Sequence, residues 1–111
     1  MKLHLPALLG VCVLCCLPSP SRAAERPPRI VLDPGHGGHQ EGATSFGGLQ
    51  EKDVALQVAR RLRSHLEKQL GAQVLLTRDD DHFLTLSERV AFANEQRPDL
   101  FISLHCNAMP T

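Results

Sequence analysis

Short aliphatic segments alternate with amphipathic segments along most of this chain, and this alternation constrains the fold more than any other feature. The aliphatic segments are residues 29–32, 73–77 and 99–105. Aliphatic residues follow one another in them with little polar interruption, which is typical of buried strands. Short strands joined by helices form parallel sheets with right-handed crossovers. We therefore predict an α/β fold of three layers, in which helices flank a mostly parallel sheet in the order β-α-β-α-β.

The first amphipathic segment, residues 51–70, predicts a long helix. Its apolar face is expected to comprise Val54, Ala55, Val58, Ala59, Leu62, Leu66 and Leu70. Gly71 follows at the place where a helix C-terminus favours a left-handed residue. A second helix is predicted to begin at Thr85, because Thr85 and Glu88 have the spacing of a capping box, and to end before Pro98.

Residues 1–24 have the pattern of a secretory signal peptide. Lys2 precedes an apolar run over residues 5–17, and the small residues Ala23 and Ala24 follow where a signal peptidase would cut. The run is shorter than the about 20 residues of a spanning helix. An uncleaved anchor and a lipoprotein signal at a cysteine of this segment are the alternatives. We expect export to the periplasm or the extracellular cell wall, no stable membrane insertion after cleavage, and a linker over residues 25–28.

Composition narrows the remaining function classes. The 12 basic and 12 acidic residues give a formal net charge of zero, so no nucleic-acid partner is expected. Three of the four cysteines lie within residues 1–24, which leaves Cys106 alone in the mature chain and excludes an intramolecular disulfide. Stability must then come from packing, a metal or further sequence.

Three polar side chains are predicted to meet at one edge of the sheet. Ligands of parallel α/β sheets bind beyond the carboxyl ends of the strands. The loop after the first strand carries His36, the first helix begins with Glu51, and the third strand ends with His105. Two imidazoles and a carboxylate match the ligand set of a catalytic zinc site.

Each of these residues also has a plain structural interpretation. His36 can be part of a glycine turn, Glu51 can interact with the helix dipole, and His105 can be a hydrogen-bonded core histidine. His39 is a competing ligand three residues after His36. Cys106 is a candidate nucleophile, although neighbouring strand residues point to opposite faces.

Other polar residues near this edge have several interpretations. Asp33 either orients a ligating histidine or only ends the first strand. Arg78 and Arg89 are interpreted as partners in surface or interelement ion pairs. We expect His65 and His82 to be exposed to solvent.

Four sequence blocks carry a resemblance to a known family. They are RIVLDPGHGG at residues 29–38, GLQEKDV at 48–54, TR at 77–78 with Asp81, Phe83, Leu86 and Arg89, and SLHCNA at 103–108. In this order they resemble the zinc-dependent N-acetylmuramoyl-L-alanine amidases of the Amidase_3 type. The resemblance covers nearly all of the mature chain.

The resemblance implies a reaction, a cofactor and site residues. The reaction is hydrolysis of the amide between N-acetylmuramic acid and L-alanine in peptidoglycan, for cell-wall turnover and cell separation. The cofactor is Zn²⁺, bound by His36, Glu51 and His105. Asp33 and Asn107 are expected to support these ligands or to bind substrate.

The family's catalytic glutamate lies C-terminal to the last block, and no residue of this chain matches its motif. We therefore assign no catalytic residue and expect the base glutamate beyond Thr111, with residues 29–111 forming the N-terminal part of the amidase domain. The activity of these 111 residues alone is then in question, and we expect low stability. The alternatives are a non-catalytic zinc-dependent peptidoglycan-binding module and another zinc peptidase or deacetylase. A regulatory protein partner stays unspecified.

Overall fold

The protein's structure, a computed structural model, describes residues 26–107. The predicted signal peptide of residues 1–24 lies outside the described residues. The predicted order of strands and helices is confirmed within these residues. The elements are β1 (Arg29–Pro34), α1 (Glu51–Leu70), β2 (Gln73–Leu76), α2 (Leu86–Gln96) and β3 (Leu100–Leu104). None of the described helices is both long enough and apolar enough to cross a membrane.

The three strands form a parallel sheet in the order β2-β1-β3. The two helices cover opposite faces of this sheet, as neighbouring residues of β1 demonstrate. Leu32 packs in one cluster with Ala59 of α1, whereas Asp33 accepts a hydrogen bond from Arg89 of α2. Because consecutive strand residues point to opposite faces, α1 and α2 lie on different sides of β1. The predicted three-layer α/β architecture is confirmed.

The hydrophobic core lies between α1 and the sheet. Its buried residues are Ile30, Leu32, Ala59, Ala72 and Val74, and partly buried leucines and isoleucine surround them. Two residues of the predicted apolar face, Val58 and Leu70, are instead 44% and 58% exposed, whereas Leu56 is buried. A helix of 20 residues is about 30 Å long and is therefore longer than strands of four to six residues, so part of α1 extends beyond the strands.

The strand boundaries differ from the prediction at β1. Asp33 does not end this strand, since Asp33 and Pro34 continue the pairing with Ser103 and Leu104 of β3. Three donors satisfy the Asp33 carboxylate, and Pro34 is the last residue of the strand. Among the described residues β3 is an edge strand, and its side chains are half-buried or exposed.

The predicted helix ends are confirmed. Gly71 caps α1 in the left-handed conformation, with φ 60°, and its N–H donates to the Glu67 carbonyl. Thr85 and Glu88 form both hydrogen bonds of the capping box that begins α2.

Candidate metal centre

His36, Glu51 and His105 meet at the carboxyl end of the sheet and form the candidate metal cluster. One potential ligand atom of each residue lies within 4.8 Å of those of the other two. Oε1 of Glu51 is 3.1 Å from Nε2 of His36 and 3.4 Å from Nδ1 of His105. The two imidazole rings meet edge to face, with centroids 5.0 Å apart. The three elements predicted to share this edge therefore bring these side chains together.

His36 lies in a turn of unusual backbone conformation, which we call the His36 turn (residues 34–38). His36 has φ 57°, and Gly37 and Gly38 have φ 126° and 56°. The left-handed conformation is rare for a residue with a side chain and costs of order 1–3 kcal/mol. Gly37 also has no room for a side chain, because a Cβ there would lie 2.1 Å from the His82 carbonyl oxygen. The surrounding structure must therefore stabilise this turn.

Arg89 holds the His36 turn from the side of α2. Its Nη2 donates to the His36 carbonyl at 2.7 Å, and its Nη1 donates to the Pro34 carbonyl at 2.9 Å and to Oδ1 of Asp33 at 2.7 Å. The guanidinium is buried. Arg89 thus forms the predicted interelement ion pair, but this pair lies in the interior rather than on the surface.

Arg78 holds the same turn from the end of β2. It donates to the carbonyls of Pro34 and Gly35 at 3.0 and 2.8 Å, and also to those of Lys52 and Asp80. All the acceptors that the structure gives this buried side chain are backbone carbonyls, so its interpretation as an ion-pair partner is wrong. Burial lowers the pKa of Arg78, and the nearby Arg89 lowers it further, against the opposing effect of nearby aspartates.

Glu51 is the most deeply buried member of the candidate metal cluster. As the first residue of α1 it accepts hydrogen bonds from the backbone N–H of Ala43, at 2.9 Å, and of Cys106, at 2.7 Å. Burial raises the pKa of Glu51, but these two bonds and the His36 ring outweigh burial and leave the pKa below its ordinary value. Glu51 is therefore a carboxylate at neutral pH, as a metal ligand must be.

Two glycines leave the space that the candidate metal cluster occupies. A Cβ at Gly35 would lie 2.4 Å from the His105 ring, and one at Gly42 would lie 2.7 Å from both the Glu51 side chain and the His36 ring. Gly42 also has φ 70°. Side chains at either position would collide with the cluster, so these glycines permit its compact form.

Asp33 makes no direct hydrogen bond to a histidine of the cluster. Its carboxylate accepts hydrogen bonds from Thr77, Arg89 and Ser103 at 2.7 to 2.8 Å, and no histidine is among these donors. Burial raises the pKa of Asp33, yet the three hydrogen bonds and the Arg89 charge bring it below the usual value. Direct orientation of a histidine by Asp33 is therefore wrong, because its connection to His36 runs through Arg89.

The other predicted residues lie around the cluster. Asn107 is exposed and lines a shallow pocket beside Glu51 and Cys106, so its role in substrate binding stays a prediction. The thiol of Cys106 is free and exposed. His39 stacks on Phe83 at a centroid distance of 4.4 Å and stands outside the cluster.

Sequence reasoning missed the two buried arginines. The apolar residues of α2 gave no signal for Arg89, because Leu86 and Val90 are 81% and 58% exposed whereas Arg89 is buried. The burial of Arg89 follows from its partners, which are the Asp33 carboxylate and backbone carbonyls that meet only in the fold. For Arg78 the sequence contains no signal either, since backbone carbonyls are its acceptors.

A cleft of about 490 Å³ opens beside the candidate metal cluster. His36 and His105 lie in its wall, together with these residues: Asp33, Gln40, Phe83, Leu84, Thr85, Leu86, Ser87, Arg89 and Ser103. Polar and apolar side chains both line this cleft, so a substrate with amide groups and alkyl carbons can contact it next to the cluster.

A protein-family model and curated relatives match this chain. The model, Amidase_3, described as N-acetylmuramoyl-L-alanine amidase, matches residues 30–111. The N-acetylmuramoyl-L-alanine amidase AmiC of Escherichia coli O6:H1 is 51% identical over 92 residues, 82% of this chain and 22% of that protein. AmiC of Neisseria meningitidis serogroup B is 49% identical over the same shares. The chain spans about a fifth of the length of these two relatives.

Solved structures share the fold as well. The N-acetylmuramoyl-L-alanine amidase AmiC2 of Nostoc punctiforme superposes with a TM-score of 0.71 and 43% identity, over 76% of this chain and 46% of that one. The catalytic domain of CwlV, an N-acetylmuramoyl-L-alanine amidase from Bacillus (Paenibacillus) polymyxa var. colistinus, gives 0.71 and 34% identity, over 76% and 48%. The superposed part is about three quarters of this chain in both comparisons.

Proposed function

The chain belongs to the Amidase_3 family of N-acetylmuramoyl-L-alanine amidases, and from this membership we propose that it serves zinc-dependent hydrolysis of the amide between N-acetylmuramic acid and L-alanine in peptidoglycan. The observation that carries the proposal is the candidate metal cluster at the carboxyl end of the sheet. The chain spans 22% of the length of the two AmiC relatives. The hydrolysis that we propose is therefore the activity of a whole protein that contains these residues.

The side chains of the cluster fit a zinc ion by their chemistry. Two imidazole nitrogens and one carboxylate oxygen form the three-ligand set of catalytic zinc sites, which keep a position open for water or substrate. His36, Glu51 and His105 would hold the ion. The pKa of Glu51, which hydrogen bonds lower from its ordinary value against the effect of burial, supports this role, because a metal ligand must be deprotonated. Gly35 and Gly42 leave the cluster uncrowded.

When bound, the zinc ion supplies polarisation of the scissile carbonyl and activation of a water molecule. The protein's own residues do the positioning. The backbone N–H groups of Ala43 and Cys106 orient the Glu51 carboxylate, and the cleft beside His36 and His105 receives the substrate. We propose Asn107, on the other side of Glu51, as a further substrate contact.

Proton transfer is not assigned to a residue of the described chain. Among the described residues that line the cleft, Asp33 is the single carboxylate. Its oxygens already accept three hydrogen bonds, from Thr77, Arg89 and Ser103. These bonds, with the Arg89 charge, outweigh burial and hold the pKa of Asp33 below the ordinary value. A general base needs a pKa near the working pH and a free oxygen, and Asp33 has neither.

A second candidate function follows from this observation. A zinc-dependent module that binds peptidoglycan without cleaving it needs the metal cluster and the cleft but no base. We propose export for either function, because peptidoglycan lies outside the cytoplasmic membrane and residues 1–24 have the pattern of a signal peptide.

The deciding experiment incubates a full-length version of the protein with purified peptidoglycan, with and without a chelator, because no base is assigned among the described residues. The amidase proposal expects released stem peptides with a free L-alanine amino terminus, loss of release with chelator, and loss in H36A. H39A, a histidine outside the cluster, is the matched control and should retain release. Zinc-dependent sedimentation with peptidoglycan but without release would favour the binding module, and other new termini in the mass spectrum would indicate a peptidase or a deacetylase.

A further inference from the structure

We propose that Arg89 and Arg78 are positioning residues for the metal cluster: together they hold the His36 turn in its left-handed conformation, so that the His36 ring faces Glu51 before any metal binds. This inference rests on the proposed zinc site. It assigns a functional role to two buried arginines that contribute no ligand atom to the cluster.

The hydrogen bonds of the two arginines converge on three consecutive carbonyls. Pro34 accepts from both side chains, at 2.9 and 3.0 Å, Gly35 accepts from Arg78 at 2.8 Å, and His36 accepts from Arg89 at 2.7 Å. The direction of a carbonyl fixes the plane of its peptide group. Three fixed planes in a row leave the backbone at His36 little freedom.

The conformation that these bonds hold is one that His36 would otherwise avoid. A φ of 57° is unfavourable for a residue with a side chain, and such strain persists only where the surroundings over-determine it. Rotation about the N–Cα bond of His36 would carry its imidazole away from Glu51. Nε2 of His36 now lies 3.1 Å from Oε1 of Glu51. The strain therefore has a local consequence, which is the direction of the His36 ring.

Burial of two guanidinium groups costs desolvation free energy that apolar side chains of the same volume would not cost. Both guanidinium groups are buried, both donate to the Pro34 carbonyl, and Asp33 is the carboxylate to which Arg89 donates. Apolar residues of similar volume often stabilise a fold as well as a buried ion pair does. The planar arginine guanidinium has several N–H donors and can donate to several fixed oxygens at the same time. Apolar side chains and lysine cannot do this.

The test compares R89K with T77V. Lysine keeps a positive charge for Asp33 but has no fork that reaches Asp33 and the Pro34 and His36 carbonyls together. T77V removes another hydrogen bond to the same carboxylate and leaves every carbonyl of the turn bonded, so it controls for lost stability. Each chain is titrated with Zn²⁺ against a competing chelator and with Co²⁺ by visible absorption, and its urea midpoint is measured.

We expect R89K to bind Zn²⁺ about 10-fold to 100-fold more weakly than the wild type, with an altered Co²⁺ spectrum. T77V should bind within about 3-fold and show an unchanged spectrum, although its urea midpoint falls. If R89K shows no cooperative urea transition, R78K replaces it under the same criteria, because R78K leaves the Asp33–Arg89 pair in place.

If the lysine variant keeps the wild-type Zn²⁺ affinity and Co²⁺ spectrum, the positioning role of the arginines is overturned, while the proposed zinc site still stands. The same holds if T77V loses as much affinity as the lysine variant, since affinity would then follow global stability. A wild-type chain that does not bind Zn²⁺ would remove the proposed site itself, and the inference with it. The two failures are therefore distinguishable.

Discussion

Substitution of Gly35 by alanine perturbs the candidate metal cluster at a single ligand. Gly35 does not have a positive φ, so its backbone accepts an alanine without conformational strain. The added Cβ would lie 2.4, 2.6 and 2.7 Å from three atoms of the His105 ring, where ordinary contacts begin near 3.4 Å. The ring must therefore retreat by about 1 Å.

The magnitude follows from what this retreat does to a metal bond and to the fold. Ligand distances in metal sites hold to about ±0.2 Å, so a shift of about 1 Å breaks the His105 contact. A misplacement of this size costs about 100-fold in rate. The His105 side chain is 42% exposed and can turn toward solvent, so the free energy of unfolding should change by less than about 1 kcal/mol.

The assay measures zinc affinity by chelator competition and the urea midpoint for G35A beside G47A, and it measures peptide release from peptidoglycan for the same variants of a full-length version. Gly47 is the matched control, since its backbone is also without positive φ and a Cβ there would meet only the Ser45 hydroxyl, at 3.9 Å. We expect G35A to lose affinity and release while both variants keep the wild-type midpoint. Wild-type zinc affinity in G35A would refute the placement of His105 in the cluster.

Three further predictions follow from the same geometry. E51Q keeps the shape of the Glu51 side chain but loses its charge and turns an amide toward a backbone N–H such as that of Ala43, so zinc affinity in calorimetric titration should fall by more than about 10-fold. D33N breaks the buried pair with Arg89 and should cost about 3–5 kcal/mol of unfolding free energy in urea at pH 7. The pKa of Asp33 in the folded chain is below its ordinary value. The ionised carboxylate therefore contributes its full stability above the unfolded pKa of about 3.9, and this contribution is lost as the pH falls through the folded pKa. The difference in unfolding free energy between wild type and D33N should accordingly shrink in acid. T85A removes the cap of α2 and should lower the unfolding free energy by about 1 kcal/mol, with zinc affinity unchanged.

The sequence predicts those parts of the fold that depend on local pattern. The bounds of α1, its Gly71 cap and the Thr85 capping box follow from residues within one or two helical turns of each other. The extension of β1 through Asp33 could not be read this way. It involves three hydrogen-bond donors that meet only in the folded chain, namely Thr77 directly after β2, Arg89 of α2 and Ser103 of β3.

The candidate site also has features that the sequence predicts and features that it does not. Its three predicted ligands were identified from topology, because the elements that carry them end or begin at one edge of a parallel sheet. The left-handed conformation of His36 had no sequence signal, since that conformation is expected of glycine rather than histidine. The burial of Arg78 was equally hidden, because its acceptors are backbone carbonyls, which every sequence contains.

Zinc-edge X-ray absorption of the chain loaded with one equivalent of Zn²⁺ tests the central claim most directly, because it reports the ligand atoms themselves. The proposed site predicts only nitrogen and oxygen neighbours at about 2.0–2.2 Å, with the scattering pattern of two imidazoles, reduced to one in H105A. A sulfur neighbour at about 2.3 Å, which Cys106 would supply, or a spectrum of fully hydrated zinc would contradict it.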